Sequence, residues 1–173
     1  MRTLFAFSLL IPLLGGMWGS RSSGSNPRPD GPCRSYEYRH SGTMMYPITY
    51  YEVKRDAAGA VRIAYLKDQG PDVLVIPGPD DLLAQIDAIV AKEKTYRLKN
   101  SYWPRMEILD GYMWHVHIVF DKTSISSGGN NAWPSAKVWK GVEAINARIQ
   151  ALIDASSEAD VLERMDYRAY TDR

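Results

Sequence analysis

Residues 112–120 alternate with a period of two. Trp114, Val116, Ile118 and Phe120 fall on one side of an extended chain, and Met113, His115, His117 and Val119 on the other. A strand written this way has one apolar face and one wet face. It requires a sheet covered by a hydrophobic layer on one side only.

Two segments supply that layer. Leu82, Leu83, Ile86, Ile89 and Val90 form one stripe at helical spacing. Pro79, Asp80 and Asp81 suit a first helical turn, and Lys92 and Lys94 suit the opposite end of the helix dipole. The spacing of Val138, Val142, Ile145, Ile149 and Leu152 predicts a second helix, from about Ser135 to Ala155. Gly141 inside it costs about 1 kcal/mol relative to alanine and implies close approach of a neighbouring backbone.

Further strands are expected around Tyr36 and Tyr38, and at Val73 to Ile76 and Thr123 to Ser126. A hairpin is expected from Thr49 to Arg55 and Val61 to Lys67, turning at Asp56-Ala57-Ala58-Gly59. Another pairs Arg105 to Leu109 with Tyr112 to Phe120 through Asp110-Gly111. A two-residue loop there would set Glu107 opposite Trp114. A three-residue connection with a glycine bulge puts Met106 and Ile108 on the core side, and Arg105 and Glu107 beside the histidines. The second arrangement avoids burying a carboxylate. Val161, Leu162 and Met165 suggest a short final helix docked on the domain. These elements make an α+β fold: an antiparallel sheet of five or six strands with two amphipathic helices packed on one face.

The N-terminus sets the expected compartment. Arg2 is followed by an apolar run, Leu4 to Leu14, broken only by Ser8 and Pro12, and then by small residues. This is the layout of an export signal, and the run is too short for an ordinary membrane span. Residues 1–20 are read as the signal, 21–34 as a flexible linker, and 35–173 as one domain. The expected location is the periplasm, the cell surface or the medium. Contact with a membrane is expected only through an uncleaved N-terminal segment. Cys33 is the only cysteine, so no internal disulfide is available, and it reads as an unpaired linker thiol.

Net charge is +1, with acidic and basic residues interleaved. No basic stripe of the kind that engages phosphates is visible along the chain, which argues against a nucleic-acid partner.

Three features carry chemistry. His115 and His117 share a face about 7 Å apart at the backbone, close enough to share a metal ion, with Glu107 as the third ligand that the hairpin parity offers. Zinc is the metal such a set would take; otherwise no cofactor is implied. The second feature is Ser127 to Pro134, in which Gly128, Gly129, Asn130 and Asn131 lead through Trp133 into a helix. It reads as a connector whose exposed backbone can meet a ligand. The third is the aromatic content, 11 tyrosines and five tryptophans, with Tyr102 and Trp103 read as a stacking platform for a glycan, a peptide or a protein. No serine, histidine and acid assemble into a triad from spacing alone, and paired catalytic carboxylates are not identifiable.

From Met106 to Leu152, the run of a strand, an Asp-Gly turn, a tryptophan-containing strand, Ser-Gly-Gly-Asn-Asn-Ala-Trp-Pro and an amphipathic helix resembles small secreted or lipoprotein-like bacterial domains of unknown function. Such lipoproteins carry a cysteine just after the apolar run, where this chain has Arg21. The resemblance therefore implies compartment and architecture and no mechanism. The leading expectation is a non-catalytic exported binding domain. The alternative is a metal-dependent hydrolase-like enzyme built on His115, His117 and Glu107.

Overall fold

The alternation of residues 113–120 becomes a two-sided strand in the computed structural model. Trp114, Val116, Ile118 and Phe120 are all buried, His115 and His117 are half-buried, and Met113 is exposed. The structure describes residues 24–42, 47–67, 70–104 and 111–172. In chain order the strands are β1 (Cys33–Ser41), β2 (Pro47–Arg55), β3 (Val61–Leu66), β4 (Asp72–Pro77), β5 (Ser101–Tyr102), β6 (Met113–Phe120), β7 (Ser124–Asn130) and β8 (Glu163–Asp166). Helices α1 (Leu82–Glu93) and α2 (Ala136–Asp154) follow β4 and β7, and α3 (Tyr167–Thr171) closes the chain.

All eight strands form one sheet, in the order β5-β7-β6-β1-β2-β3-β4-β8. Every pairing is antiparallel except that of β5 with β7. The fold is helix-on-sheet α+β, and the sheet is larger than the expected five or six strands and mixed in direction. The additional strands are β5 and β8, too short and too polar to carry a hydrophobic period of their own. Partner backbones define them instead.

The register aligns one face across the central strands. Tyr36 of β1 sits opposite Val53 and Ile118, and Tyr38 opposite Tyr51 and Val116. This face packs against Leu82, Leu83, Ile86 and Val90 of α1 and Val142, Ile145 and Ile149 of α2. Each fully buried aliphatic side chain of this kind contributes about 1.5–3 kcal/mol. Tyrosine hydroxyls reach past the core: Tyr36 donates to Asn146 Oδ1 at 2.6 Å, and Tyr51 to Gln150 Oε1 at 2.6 Å. Arg148 Nε donates to Gln85 Oε1 at 2.8 Å and ties the helices together.

Several local expectations shift. The first helix starts at Leu82, because Pro79 and Asp80 form the preceding turn, with Leu82 N–H donating to the Pro79 carbonyl at 3.0 Å. The strand expected to end at Ser126 runs on to Asn130, so Gly128, Gly129 and Asn130 lie in β7 and not in a connector. β6 is hydrogen-bonded along its length by β1 on one side and β7 on the other. Neither edge is open to the expected hairpin partner, residues 105–109, which lies outside the described residues. The signal at 1–20 lies outside them as well.

Part of the expected linker is held in place. Ser25 bridges to Lys99, and Asn26 donates to the Leu98 carbonyl and accepts from Ser126 N–H, both at 2.8 Å. A polar stretch without apolar side chains cannot build a core, yet its amides can satisfy the backbone of a sheet edge. β1 then begins at Cys33, which is buried.

The tail forms a strand and a helix. β8 pairs with β4, and α3 turns onto the face opposite α1 and α2. There Tyr167 packs with Tyr50, Ala64, Val73 and Val75, while Leu162 is left exposed. That open face is therefore covered at one end.

Gly141 has a specific reason. A Cβ there would lie 2.0 Å from Thr95 Oγ1, in a 3₁₀ turn just after α1, and Thr95 is fully buried. The close contact is thus a side chain rather than the neighbouring backbone expected from the sequence. Gly141→Ala is expected to destabilise the fold by about 1–3 kcal/mol in urea unfolding, despite its gain in helix propensity. Adding Thr95→Ala should recover much of that loss in a double-mutant cycle. Additive losses would contradict the contact.

Candidate binding groove on the open face

Seen from the open face, β1, β6 and β7 present polar residues in rows. Gly128, His115 and Arg39 are successive cross-strand neighbours, as are Ser126, His117 and Glu37. β5 adds Ser101 beside Gly128. A groove of about 490 Å³ lies over this area, lined among others by Arg39, Asn100, Trp103, Met113, His115, Ser126, Gly128 and Asn130. Trp103 is 72% exposed and Met113 53%, at the end of the groove where Asn130 closes β7.

Gly129 explains how the groove is braced from below. Its missing side chain leaves room for the Trp114 ring, since a Cβ would stand 2.5 Å from Trp114 Nε1 and 2.3 Å from the Ala132 carbonyl oxygen. The indole donates to that carbonyl at 2.8 Å and packs 4.6 Å from Trp139 of α2. Tyr102 packs against the same indole at a tilt of 43°, with ring centroids 5.6 Å apart. Of the expected aromatic pair, Tyr102 is therefore a support on the helix side. Trp103 is presented to solvent.

The other sequence candidates are placed as follows. Gly128 and Asn130 line the groove. Asn131 adopts φ 47° and accepts from Tyr112 N–H through Oδ1 at 2.9 Å, which pins the start of β6. Trp133 lies just before α2 and outside the core. It is 44% exposed and meets His40 edge-on at 6.2 Å, with Tyr112 on the same imidazole at 5.7 Å.

His115 and His117 do share the open face, with ring centroids 6.2 Å apart. Glu107 lies outside the described residues. Among the described residues no group of three or more His, Cys, Asp or Glu is gathered as a metal site. The carboxylate opposite His117 is Glu37, which accepts from Arg39 at 2.9 Å. His115 Nε2 lies 3.3 Å from Ser126 Oγ. A serine beside an imidazole is the start of a nucleophile–base pair. Among the described residues, however, no carboxylate hydrogen-bonds the other ring nitrogen to orient it.

Reading the sequence missed Arg39, Glu37 and Ser126. The alternation from Tyr36 to His40 places Glu37 and Arg39 on one side of a strand. The pairing of β1 with β6, which brings them to the histidines, has no local signal. Beyond Arg39, the open face continues into a cleft of about 390 Å³ where charges are paired: Lys54 with Glu52 at 2.9 Å and Arg62 with Asp56 at 2.7 Å. Tyr170 of α3 donates to Glu52 there.

No protein-family model matches the sequence, and no curated protein matches it.

Burial lowers the pKa of both His115 and His40 from the ordinary histidine value of 6.5; at His115, Glu37 opposes the shift, and His117 and Arg39 reinforce it. Below about pH 6.5 the unfolded chain binds more protons at these positions than the folded one, so stability rises with pH there. Urea midpoints are expected to fall between about pH 7.5 and pH 5.5, and His40→Gln should flatten that fall. A midpoint insensitive to pH across this window would contradict the burial argument.

Burial, reinforced by the charge of Asp87, pushes the Cys33 thiol up to about 12. The folded protein should therefore leave Ellman's reagent unreacted at about pH 8, and labelling should follow unfolding in urea. Rapid labelling of the native state would place Cys33 in a different environment.

Proposed function

We propose that the protein is a non-catalytic exported binding domain whose ligand lies in the groove between Trp103 and Arg39, and that this ligand is a glycan. One observation carries the reading: an indole 72% exposed beside a groove rich in hydrogen-bonding groups. The Trp103 indole, with exposed Met113 on the same groove, offers a flat apolar surface on which a ligand can stack. Sugars combine such a surface on one ring face with hydroxyls around the rim. Asn100, Ser101, Ser126, Asn130 and Arg39 offer donors and acceptors suited to those hydroxyls. Gly128 leaves the middle of the groove without a side chain, so a ligand can lie against backbone.

Export rests on the charged, apolar and small-residue layout of residues 1–20. The metal-dependent hydrolase alternative, built on His115, His117 and Glu107, is supported by one observation, the two imidazoles sharing the open face with ring centroids 6.2 Å apart. Stoichiometric zinc in the purified protein, lost on His115→Ala, would favour that alternative over binding.

The test is titration of the protein with a panel of neutral oligosaccharides, followed by tryptophan fluorescence and calorimetry. Saturable binding is expected for at least one member. Trp103→Ala should weaken it about ten- to a hundredfold with an unchanged Tm, as expected for loss of a central aromatic anchor. Binding that survives Trp103→Ala, or a panel without a binder, would overturn the glycan reading.

A further inference from the structure

A second surface lies on the helix side of the molecule. The C-terminal end of α1 and the N-terminal turns of α2 border a cleft of about 510 Å³ whose lining includes Lys92, Lys94, Arg97, Lys137 and Lys140. All five are exposed. The one carboxylate in the lining, Glu93, is engaged by Lys140 at 3.3 Å. Lys92, Lys94, Arg97 and Lys137 make no ion pair among the described residues. This contrasts with the open face, where Arg39, Lys54 and Arg62 each have a carboxylate. Unneutralised positive charge therefore collects on one surface of a chain whose net charge is only +1. The sequence conceals it, because its two halves lie some forty residues apart along the chain and meet only when α1 and α2 pack.

The path of the N-terminus indicates what this surface meets. Gly24 to Arg28 runs against residues 96–100. The Gly24 carbonyl accepts from Asn100 N–H, Ser25 bridges to Lys99, and the Arg28 guanidinium sits 5.8 Å over the Tyr96 ring. Tyr96 and Arg97 belong to the same 3₁₀ turn. The apolar Leu4 to Leu14 run is joined to the domain at Gly24, against Asn100 and three residues beyond Arg97, through a stretch from Gly15 to Ser23 whose reach of about 30 Å is long enough to bring the run to the basic cleft. Lys94 adds a local sign. It holds φ 56° at the end of α1, a conformation that favours glycine, yet a lysine occupies it.

We infer that the surface formed by Lys92, Lys94, Arg97, Lys137 and Lys140 docks on an anionic phospholipid bilayer. Clustered lysine and arginine next to an apolar segment are the two signals that together hold a protein to such a surface, the basic cluster engaging headgroup phosphates. Docking by this side leaves the Trp103 groove, on the opposite face of the sheet, turned to solvent. The inference stands whether or not the groove binds a glycan.

The experiment is cosedimentation of the full chain with phosphatidylcholine vesicles and with vesicles of phosphatidylcholine and phosphatidylglycerol. Binding to the anionic vesicles is expected to be about tenfold tighter at low salt, and the preference should collapse at about 0.5 M salt. Lys94→Glu/Lys137→Glu should abolish the preference while leaving neutral-vesicle binding and Tm unchanged. Lys67→Glu/Arg168→Glu, with the same change in net charge elsewhere on the surface, should keep it. Lys94→Gly should reduce the preference while raising Tm, which separates docking from folding. Equal binding to both vesicle types, or equal loss in the two double variants, would each overturn the inference.

Discussion

The register of β1 against β6 holds this fold together. β1 lies between β2 and β6, and its alternation sends Tyr36 and Tyr38 under the helices and Glu37 and Arg39 to the other side. A slip of one residue would turn Glu37 and Arg39 into the core, at a cost of several kcal/mol for each unsolvated charge. The irregularity between Cys33 and Ser35 keeps the phase correct, since Cys33 and Tyr36 both face the core although three positions separate them. Tyr36 is fully buried and still satisfies its hydroxyl on Asn146, so the sheet and α2 are matched in polarity as well as shape.

From that register follow two surfaces of different character. On the open side each basic residue of β1, β2 and β3 that faces solvent finds a carboxylate, and α3 closes one end with tyrosine packing. What remains uncovered there is the Trp103 groove, an apolar ring beside groups that make hydrogen bonds. On the helix side, the antiparallel pairing of α1 with α2 brings the lysines of two helix ends together with Glu93 as the one carboxylate in the cleft. A net charge of only +1 thus conceals a separation of roles between faces.

Much of the architecture was legible because side-chain periodicity is local. β6, β2, β3 and both long helices appear close to where their apolar spacing puts them. The misses have physical causes. Gly128, Gly129 and Asn130 have poor strand propensity, and they are extended because β6 and β5 supply backbone partners and because Trp114 fills the space above Gly129. Asn26 carries no hydrophobic signal, and it is ordered by two hydrogen bonds to segments some seventy and a hundred residues away. Val161 and Met165 suggested a helix, whereas the open edge of β4 claimed residues 163–166 as a strand. Of the candidate site, the histidines were readable as facing outward. Their neighbours Arg39, Glu37 and Ser126 were not.

The chain alone determined which side of each long element is apolar, since that depends only on the geometry of a strand or helix and the identity of successive residues. It also determined that the product is a sheet with helices on it. Strand order, the parallel seam at β5, the groove and the meeting of the lysines were decided only by the tertiary structure. Backbone hydrogen-bonding groups are chemically the same in every strand, so the pairing is selected by how whole faces pack, and that selection joins residues far apart in sequence.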